Sequence, residues 1–390
     1  MDHWLATVLA MKLNPVLAAL GEYPIGKLQE KAREMRAAGQ RVLDFSIGDP
    51  LEPTPAFIPE ALKRAVPVVS QYPTTAGLRE LRQAVAAYLK RRFDVAIDPD
   101  TQVIPTSGSK EAIFSTALGF VDRGRRDLVA WPTPGYPIYE RGALFAGAVP
   151  HPVRLGGDFV LRAENIATKD WANAALVWTC NPHNPAGSVT PLQDMAGLYR
   201  AARQGGALLC SDECYADLYD EEPPVSVLNV AEDDAKGCLT YLSLSKRSGM
   251  TGYRSGAVVG DAEAIRALKN LRTSTGTASP EFVQAAAIAA WSDDQHAAER
   301  REIFRQKRMI LGKVFDSLGF KVVGSTAGIY LWVDVGDDVE ISNRLMGEGI
   351  LVTPGRAFGA GGEGHIRLAL VPTLEECDEA GEALSKCLGN

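Results

Sequence analysis

Short apolar runs alternate with longer amphipathic stretches from residue 102 onward, and this alternation constrains the fold more than any other feature of the chain. The apolar runs predict strands, and the stretches between them predict helices. Strands separated by helices lie side by side in a mostly parallel, doubly wound sheet. The sequence therefore predicts an α/β fold, with strands at 102–106, 128–131, 148–153, 174–179, 206–211, 238–242 and 256–260.

The two ends of the chain have a different pattern. A helical pattern over 11–38, broken at Tyr23-Pro24, precedes a short strand at 42–46 and helices at 59–65 and 78–93. After the large α/β part come a helix at 281–291 and a highly charged helix at 295–318, whose charges predict a solvated face. The rest predicts a small α+β domain, with strands at 321–323, 328–333, 350–353 and 365–370 and helices at 340–348 and 374–388.

Composition argues against several classes of partner. The formal net charge of −7 is spread over the chain, whereas nucleic acids and anionic membranes bind basic surfaces. There is no apolar run of about 18 residues that could span a membrane. The five histidines are scattered singly, so the spacing predicts no metal site. We expect a protein whose partners are small molecules.

The cysteines and the N-terminus bear on location. Six cysteines show no C-x-x-C spacing, a pattern typical of a reducing compartment, so we expect a cytoplasmic protein. Residues 1–10 are apolar but lack a basic segment, which argues against a signal peptide. They are either a start-site extension or an arm that packs on a partner subunit.

One lysine follows a predicted strand in a stretch rich in hydroxyl groups. Lys246 lies just after the strand 238–242, Ser243 and Ser245 lie beside it, and Arg254 follows eight positions later. A lysine that forms an imine needs a fixed position, and hydroxyls with a guanidinium can hold a phosphate. A surface loop rich in Ser and Lys is the alternative interpretation.

Polar residues follow the other predicted strands as well. Ser109 and Lys110 open a helix, where free amides attract an anion, although such turns are common without a ligand. Tyr136 lies in a proline-rich loop suited to stacking on a flat ring. Asn184 follows the strand 174–179, and Asp212 directly follows a buried run, where it either pairs with a cation or caps a helix.

Two further residues have open interpretations. Gly48 follows the strand 42–46, where it offers its backbone to a ligand or simply makes a turn. Arg367 lies inside an apolar strand and must either point outward or meet an anion. Ligands of open α/β sheets bind at the carboxyl ends of the strands, so these residues are expected to share one site.

Over essentially its whole length, the chain resembles the class I, fold-type I aminotransferases, which use pyridoxal 5'-phosphate (PLP). The resemblance rests on Asn181-Pro-His-Asn184-Pro-Ala-Gly187, Ser211-Asp-Glu-Cys-Tyr215, Ser243-Leu-Ser-Lys246 with Arg254, and Arg367. Within the family, the chain is most similar to N-succinyldiaminopimelate aminotransferases. That narrower resemblance rests on the stretches 46–50, 53–57, 70–77, 244–248, 279–280 and 284–291.

The resemblance implies a role for each catalytic and ring-binding residue. Lys246 holds the cofactor through an imine and then moves the proton from the substrate's α-carbon. Asp212 pairs with the pyridine nitrogen and keeps it protonated. Tyr215 and Asn184 hydrogen-bond the ring's phenolic oxygen, and Tyr136 stacks on the ring.

The resemblance also implies how the two anionic groups are held. Ser243, Arg254 and the amides of Ser109 and Lys110 hold the phosphate, with Ser245 as a further candidate. Tyr72 reaches the phosphate of the neighbouring subunit's cofactor, so the protein is expected to be a homodimer with shared active sites. Arg367, with the amide of Gly48, binds the substrate's α-carboxylate in a bidentate fork.

The implied fold is a seven-stranded, mostly parallel sheet in a large PLP-binding domain, residues 51–284. An N-terminal arm covers residues 1–20, and a smaller α+β domain combines residues 21–50 and 285–390. The implied reaction is a ping-pong transfer between glutamate and a 2-oxo acid, with N-succinyl-LL-2,6-diaminopimelate of lysine biosynthesis as the expected substrate.

Three alternatives stay open at this point. An aspartate, aromatic or broad-range aminotransferase would share the cofactor residues. A PLP-dependent carbon–sulfur β-lyase would differ only after deprotonation. A cofactor-sensing domain of a transcription regulator would need a DNA-binding module upstream, and about twenty residues before the first family-like segment are too few for a helix-turn-helix.

Overall fold

The fold is described for residues 13–20 and 24–389 of a computed structural model. Its strands are β1 (Leu43–Asp44), β2 (Val103–Thr106), β3 (Leu128–Thr133), β4 (Val149–Arg154), β5 (Ala174–Cys180), β6 (Leu208–Asp212), β7 (Cys238–Ser243), β8 (Gly256–Gly260), β9 (Lys321–Val323), β10 (Tyr330–Asp334), β11 (Ile350–Leu351), β12 (Thr353–Pro354) and β13 (His365–Ala369). Its helices are α1 (Pro15–Leu20), α2 (Pro24–Ala37), α3 (Phe57–Ala65), α4 (Arg79–Phe93), α5 (Ser109–Phe120), α6 (Ile138–Ala146), α7 (Thr168–Asn173), α8 (Leu192–Gly205), α9 (Leu244–Arg247), α10 (Ala262–Thr275), α11 (Glu281–Trp291), α12 (Gln295–Ser317), α13 (Asp338–Gly347) and α14 (Leu374–Leu388). The first twelve residues and the predicted break at Tyr23 lie outside the described part.

A seven-stranded sheet forms the centre of the molecule, in the order β2-β8-β7-β6-β5-β3-β4. β8 runs in the direction opposite to the other six strands of this sheet. Strands β5, β6 and β7 are buried along their whole length, which explains why they are apolar runs without alternation. The predicted α/β fold with a mostly parallel seven-stranded sheet is confirmed.

The C-terminal part builds a second, smaller sheet in the order β12-β13-β10-β9, with antiparallel pairing throughout. One face of β10 and β13 packs into a separate core through Leu331, Val333, Ile366 and Leu368. The other face carries Tyr330 and Arg367 toward the large sheet. The predicted strand 42–46 is reduced to β1, which pairs in parallel with β11.

Helix α11 packs on α3 and α4, and its residues Ala286, Ala287, Ala290 and Trp291 belong to the core of the large sheet. The division at residue 285 stays a prediction. We propose that the boundary instead lies near Ser292, between α11 and α12, because burial unites α11 with the large domain.

The prediction of a solvated face for the charged helix is wrong for one side of α12. His296, Arg300, Lys307 and Arg308 on this helix are all buried. Lys307 and Arg308 form ion pairs with Glu52 and Asp220, residues far away in the sequence. The charge pattern of the helix contains no information about such distant partners, and so it predicted that these side chains are exposed to solvent.

Several element boundaries also differ from the prediction. Lys246, which follows the predicted strand 238–242, lies in the single-turn helix α9. The predicted strand 350–353 is split into β11 and β12. All six cysteines are free thiols. Among the described residues, no helix meets the length and hydropathy needed to span a membrane, and no cluster of His, Cys, Asp or Glu is placed to hold a metal ion.

Candidate active site

The carboxyl ends of the parallel strands meet at one edge of the large sheet, and a cavity of about 400 Å³ opens there. Because β8 is antiparallel, its first residue, Gly256, pairs with Ser243, the last residue of β7, at the same edge. The cavity wall includes Gly48, Ser109, Lys110, Tyr136, Asn184, Asp212, Tyr215, Ser243, Ser245, Lys246, Arg254 and Arg367. Every predicted site residue therefore lines this cavity except Tyr72, which is fully exposed.

Lys246 is held by a short helix directly after β7. The Ser243 hydroxyl caps this helix by accepting a hydrogen bond from the Ser245 amide at 3.2 Å. The Lys246 Nζ donates to the carbonyl oxygen of Gly48. Burial lowers the pKa of Lys246 to about 8, and the positive charge of Arg254 acts in the same direction. A sizeable neutral fraction of the amine near neutral pH suits it to imine formation and proton transfer.

Asp212 ends β6 as a buried carboxylate. Its Oδ2 accepts from the Tyr139 hydroxyl at 2.8 Å, and its Oδ1 accepts from the Cys214 amide at 3.3 Å. Both donors are neutral, and burial raises the pKa of Asp212. A protonated ring nitrogen at this carboxylate would supply the positive charge that a buried anion needs.

An anion cradle lies at the N-terminus of α5. Gly108 is the N-cap of this helix with a φ of +79°, and as a glycine it makes no side-chain cap hydrogen bond. A Cβ at Gly108 would overlap the guanidinium of Arg254, so glycine lets that side chain lie close to the helix amides. Arg254 itself adopts a φ of +53° and donates to the Thr251 carbonyl at 2.8 Å. Helix amides, serines and a guanidinium converge here as a phosphate requires.

Arg367 points into the cavity from β13. It is 2% exposed and donates to Asn184 Oδ1 at 3.2 Å and to the Ser46 carbonyl at 2.9 Å. Its Nε is buried and has no hydrogen-bond partner among the described residues. The rings of Tyr330 and Phe358 lie 4.3 Å and 4.5 Å from its guanidinium carbon. A buried guanidinium with a spare N–H donor is suited to a carboxylate ligand.

Tyr215 and Asn184 also line the cavity. The Tyr215 hydroxyl lies 2.9 Å from the Tyr330 hydroxyl, and Asn184 Oδ1 accepts from Arg367. Their predicted hydrogen bonds to the ring's phenolic oxygen stay a prediction, as does stacking by Tyr136.

Sequence reasoning missed several residues of the cavity: Gln29, Cys214, Tyr330 and Phe358 in its wall, and Tyr139 behind Asp212. Tyr139 lies three residues after Tyr136, and its contact with Asp212, 73 positions away, gave no signal in the sequence. Tyr330 gave only a weak sequence signal for a site residue, since its hydroxyl is a polar side-chain group within the apolar run around it. Phe358 and Cys214 gave none, because an aromatic or a thiol in such a position is usually core.

PLP fits this set of groups. The cradle at α5 could bind the phosphate of PLP, and the buried Asp212 could pair with its protonated ring nitrogen. The amine of Lys246 could form the imine with its aldehyde carbon. The unpartnered Nε of Arg367 is left for a carboxylate of the substrate.

A model of the family described as aminotransferase class I and II matches residues 40–384. The chain belongs to this family. Class I and II aminotransferases use PLP, in agreement with the cavity described above. Members of this family act on small-molecule amino acid and 2-oxo acid substrates.

Individual relatives of the aminotransferase match it over nearly the whole chain. An LL-diaminopimelate aminotransferase of Aquifex aeolicus is 35% identical over 380 residues, covering 94% of this chain and 97% of the relative. A crystal structure of an aminotransferase from Neisseria meningitidis has a TM-score of 0.89 at 34% identity, covering 96% of this chain and all of that one. The aspartate aminotransferase of Thermus thermophilus with maleate has a TM-score of 0.88 at 27% identity, covering 97% and 100% of the two chains.

Proposed function

We propose that the aminotransferase exchanges the amino group of LL-diaminopimelate with the 2-oxoglutarate/glutamate pair by a ping-pong mechanism. The observation that carries this substrate is the full-length similarity, at 35% identity, to the enzyme named LL-diaminopimelate aminotransferase. N-succinyl-LL-2,6-diaminopimelate is the second candidate, favoured by the sequence stretches that resemble the succinyl-specific enzymes. Both substrates belong to lysine biosynthesis.

The positions of Lys246 and Arg367 support proton transfer at the α-carbon. Arg367 donates to the carbonyl of Ser46, and Lys246 donates to the carbonyl of Gly48, two residues further along the same segment. A carboxylate held by Arg367 and the Gly48 amide would therefore place the α-carbon of the amino acid beside the Lys246 amine. The neutral Nζ of Lys246 would accept the α-proton and deliver it to the cofactor carbon that the same Nζ holds in the resting enzyme.

The remaining residues would bind the cofactor and orient it for that proton transfer. PLP, when bound, supplies an electron sink for the charge that develops at the α-carbon. Asp212 holds a proton at the ring nitrogen, and Tyr215 with Asn184 donates to the phenolic oxygen. Ser243, Arg254 and the α5 amides of Ser109 and Lys110 hold the phosphate, and Ser245 lies beside them.

A homodimer is part of this proposal. Tyr72 is fully exposed, and so are large parts of Val66, Val68 and Val69 just before it. Exposed apolar residues in one segment favour an interface with a second copy. Tyr72 would reach the neighbouring subunit's phosphate site from this segment. Sedimentation equilibrium tests the dimer, and a monomeric, fully active enzyme would refute it.

We also propose a cytoplasmic location, supported by the six free thiols.

A side-by-side donor assay tests the substrate. LL-diaminopimelate, N-succinyl-LL-diaminopimelate, aspartate, phenylalanine and alanine are each offered with 2-oxoglutarate, and glutamate formation is measured. We expect the highest kcat/KM with LL-diaminopimelate. A higher value with the succinylated donor selects the second candidate, and a higher value with aspartate or phenylalanine removes both.

Two controls test the reaction type. The Lys246→Ala variant should lose turnover, and full activity in it would contradict the assigned base. Pyruvate release from cystathionine without 2-oxoglutarate would instead indicate the carbon–sulfur β-lyase.

A further inference from the structure

Tyr330 lies between the two recognition sites of the cavity. Its hydroxyl is 2.9 Å from the Tyr215 hydroxyl, and its ring covers the Arg367 guanidinium at 4.3 Å. Tyr330 is 3% exposed and Arg367 is 2% exposed, so water does not screen either contact strongly. Tyr215 is assigned to the cofactor's phenolic oxygen and Arg367 to the substrate's carboxylate.

The sheet register fixes Tyr330 in this place. Tyr330 pairs with Ala369 across β10 and β13, so Arg367 is its diagonal neighbour on the same face. The Phe358 ring also lies against the guanidinium, at 4.5 Å, and the Arg367 Nε is buried without a hydrogen-bond partner among the described residues. The packing thus holds the ring still, and the ring in turn holds its hydroxyl against Tyr215.

The absence of a side chain at Gly48 leaves space for the Tyr330 hydroxyl. A Cβ at Gly48 would lie 2.7 Å from the Tyr330 Oη, closer than side-chain carbons approach. The Gly48 carbonyl accepts from Lys246 on the other side. The Tyr330 hydroxyl is therefore in contact with the segment that positions the lysine as well as with Tyr215.

We infer that Tyr330 is a positioning residue that couples the carboxylate-binding Arg367 to the cofactor-binding Tyr215. Its hydroxyl donates to the Tyr215 oxygen, which leaves the Tyr215 proton free for the phenolic oxygen of the cofactor. Because the Tyr215 oxygen accepts this hydrogen bond, its own O–H group becomes a stronger donor. The inference rests on the proposed roles of Tyr215 and Arg367.

A spectral pH titration of the PLP-loaded enzyme tests the coupling. Hydrogen bonds from Tyr215 favour the ionised phenolic oxygen, so weakening them raises the pH at which the cofactor's absorbance changes. We expect Tyr330→Phe, which keeps the ring, to raise that midpoint by about 0.5 unit, the size of a partial loss of one hydrogen bond. Tyr215→Phe should raise it further.

A matched control is Tyr199→Phe, which removes a buried hydroxyl that bonds backbone carbonyls away from the cavity. Its midpoint should equal that of the unmodified enzyme. If Tyr330→Phe behaves like Tyr199→Phe while Tyr215→Phe shifts the midpoint, the coupling is refuted and the role of Tyr215 stands. If Tyr215→Phe also fails to shift it, the proposed role of Tyr215 falls as well, and the coupling with it.

A second variant separates the ring from the hydroxyl. Tyr330→Leu removes the stacking on Arg367, so we expect the KM for glutamate to rise roughly tenfold. Tyr330→Phe should leave that KM within about twofold because the ring is retained. Equal KM values in both variants would contradict the part assigned to the ring.

Discussion

The Nε of Arg300 donates a hydrogen bond to the main-chain carbonyl of Lys246 at 3.0 Å. Arg300 comes from α12, and its side chain is 5% exposed. Gly249 makes room for it, since a Cβ there would lie 2.9 Å from the guanidinium. A permanent positive charge therefore lies directly behind the reactive lysine and helps to lower its pKa.

The pH dependence of cofactor loading follows from this arrangement. The pKa of Lys246 is lowered to about 8, so the amine is mainly neutral, and nucleophilic, above that pH. The rate at which the apoprotein combines with PLP should rise through pH 8 and then level off. In Arg300→Met the midpoint should move upward, because a neighbouring cation no longer disfavours the protonated amine. Absorbance-monitored mixing over a pH series measures both rates.

Arg305→Met serves as the control, because Arg305 lies on the same helix but pairs with Glu302 at the surface. Its midpoint should match that of the unmodified protein. An unchanged midpoint in Arg300→Met would show that Arg300 has no electrostatic effect on Lys246.

Asp212→Asn should stabilise the apoprotein while it disables catalysis. The folded-state pKa of Asp212 is raised by burial, so its ionised form costs stability. That cost is absent below the unfolded pKa and fully present above the folded one. We expect Asn to increase the free energy of unfolding at pH 8 by about 1–3 kcal/mol, with a smaller gain in acid. Urea unfolding of the apoprotein at two pH values measures this.

The same variant should lose about 10²–10³-fold in kcat, because an amide cannot stabilise a protonated ring nitrogen. A variant that is less stable at pH 8 would contradict the buried-charge argument. A variant with normal kcat would contradict the role of Asp212.

Gly48→Ala should destabilise the protein through one contact. The added Cβ would meet the Tyr330 Oη at 2.7 Å, whereas the next atoms lie at 3.4 Å and 3.5 Å. We expect a loss of about 1–3 kcal/mol in the free energy of unfolding, as overpacking typically costs. In the Tyr330→Phe background the hydroxyl is gone, so the loss should nearly vanish. A double-mutant cycle by urea unfolding decides; additive losses would place the clash elsewhere.

Arg247→Met should weaken the fold beside the active site. Arg247 is buried and donates to Asp217 and Asp294, at 2.7 Å in each case, and to the Ala290 carbonyl at 2.8 Å. Its loss leaves the buried Asp217 carboxylate only partly compensated, which typically costs about 3–5 kcal/mol. Arg266→Met, at an exposed pair with Glu263, should stay within about 0.5 kcal/mol. Similar losses in the two variants, measured by urea unfolding, would contradict this account.

Much of the site could be predicted because it follows chain order. Asp212 and Ser243 end apolar strands, Lys246 follows three residues after Ser243, and parallel strands must bring their carboxyl ends to one edge. Arg367 stood out as a charge in an apolar strand. Tyr330 could not be found in this way, because a tyrosine beside apolar residues is as compatible with the core as with a site.

Periodicity and chain order are local properties, so they were enough to predict most strands and helices and the polar groups at the strand ends. Tertiary structure alone decided which charges of α12 are buried, because Glu52 lies 255 positions away from Lys307. It also produced the contact between Tyr330 of β10 and Tyr215 in the turn after β6, which are separated by 115 positions. Contacts of that range depend on how the two sheets pack, and no local pattern encodes them.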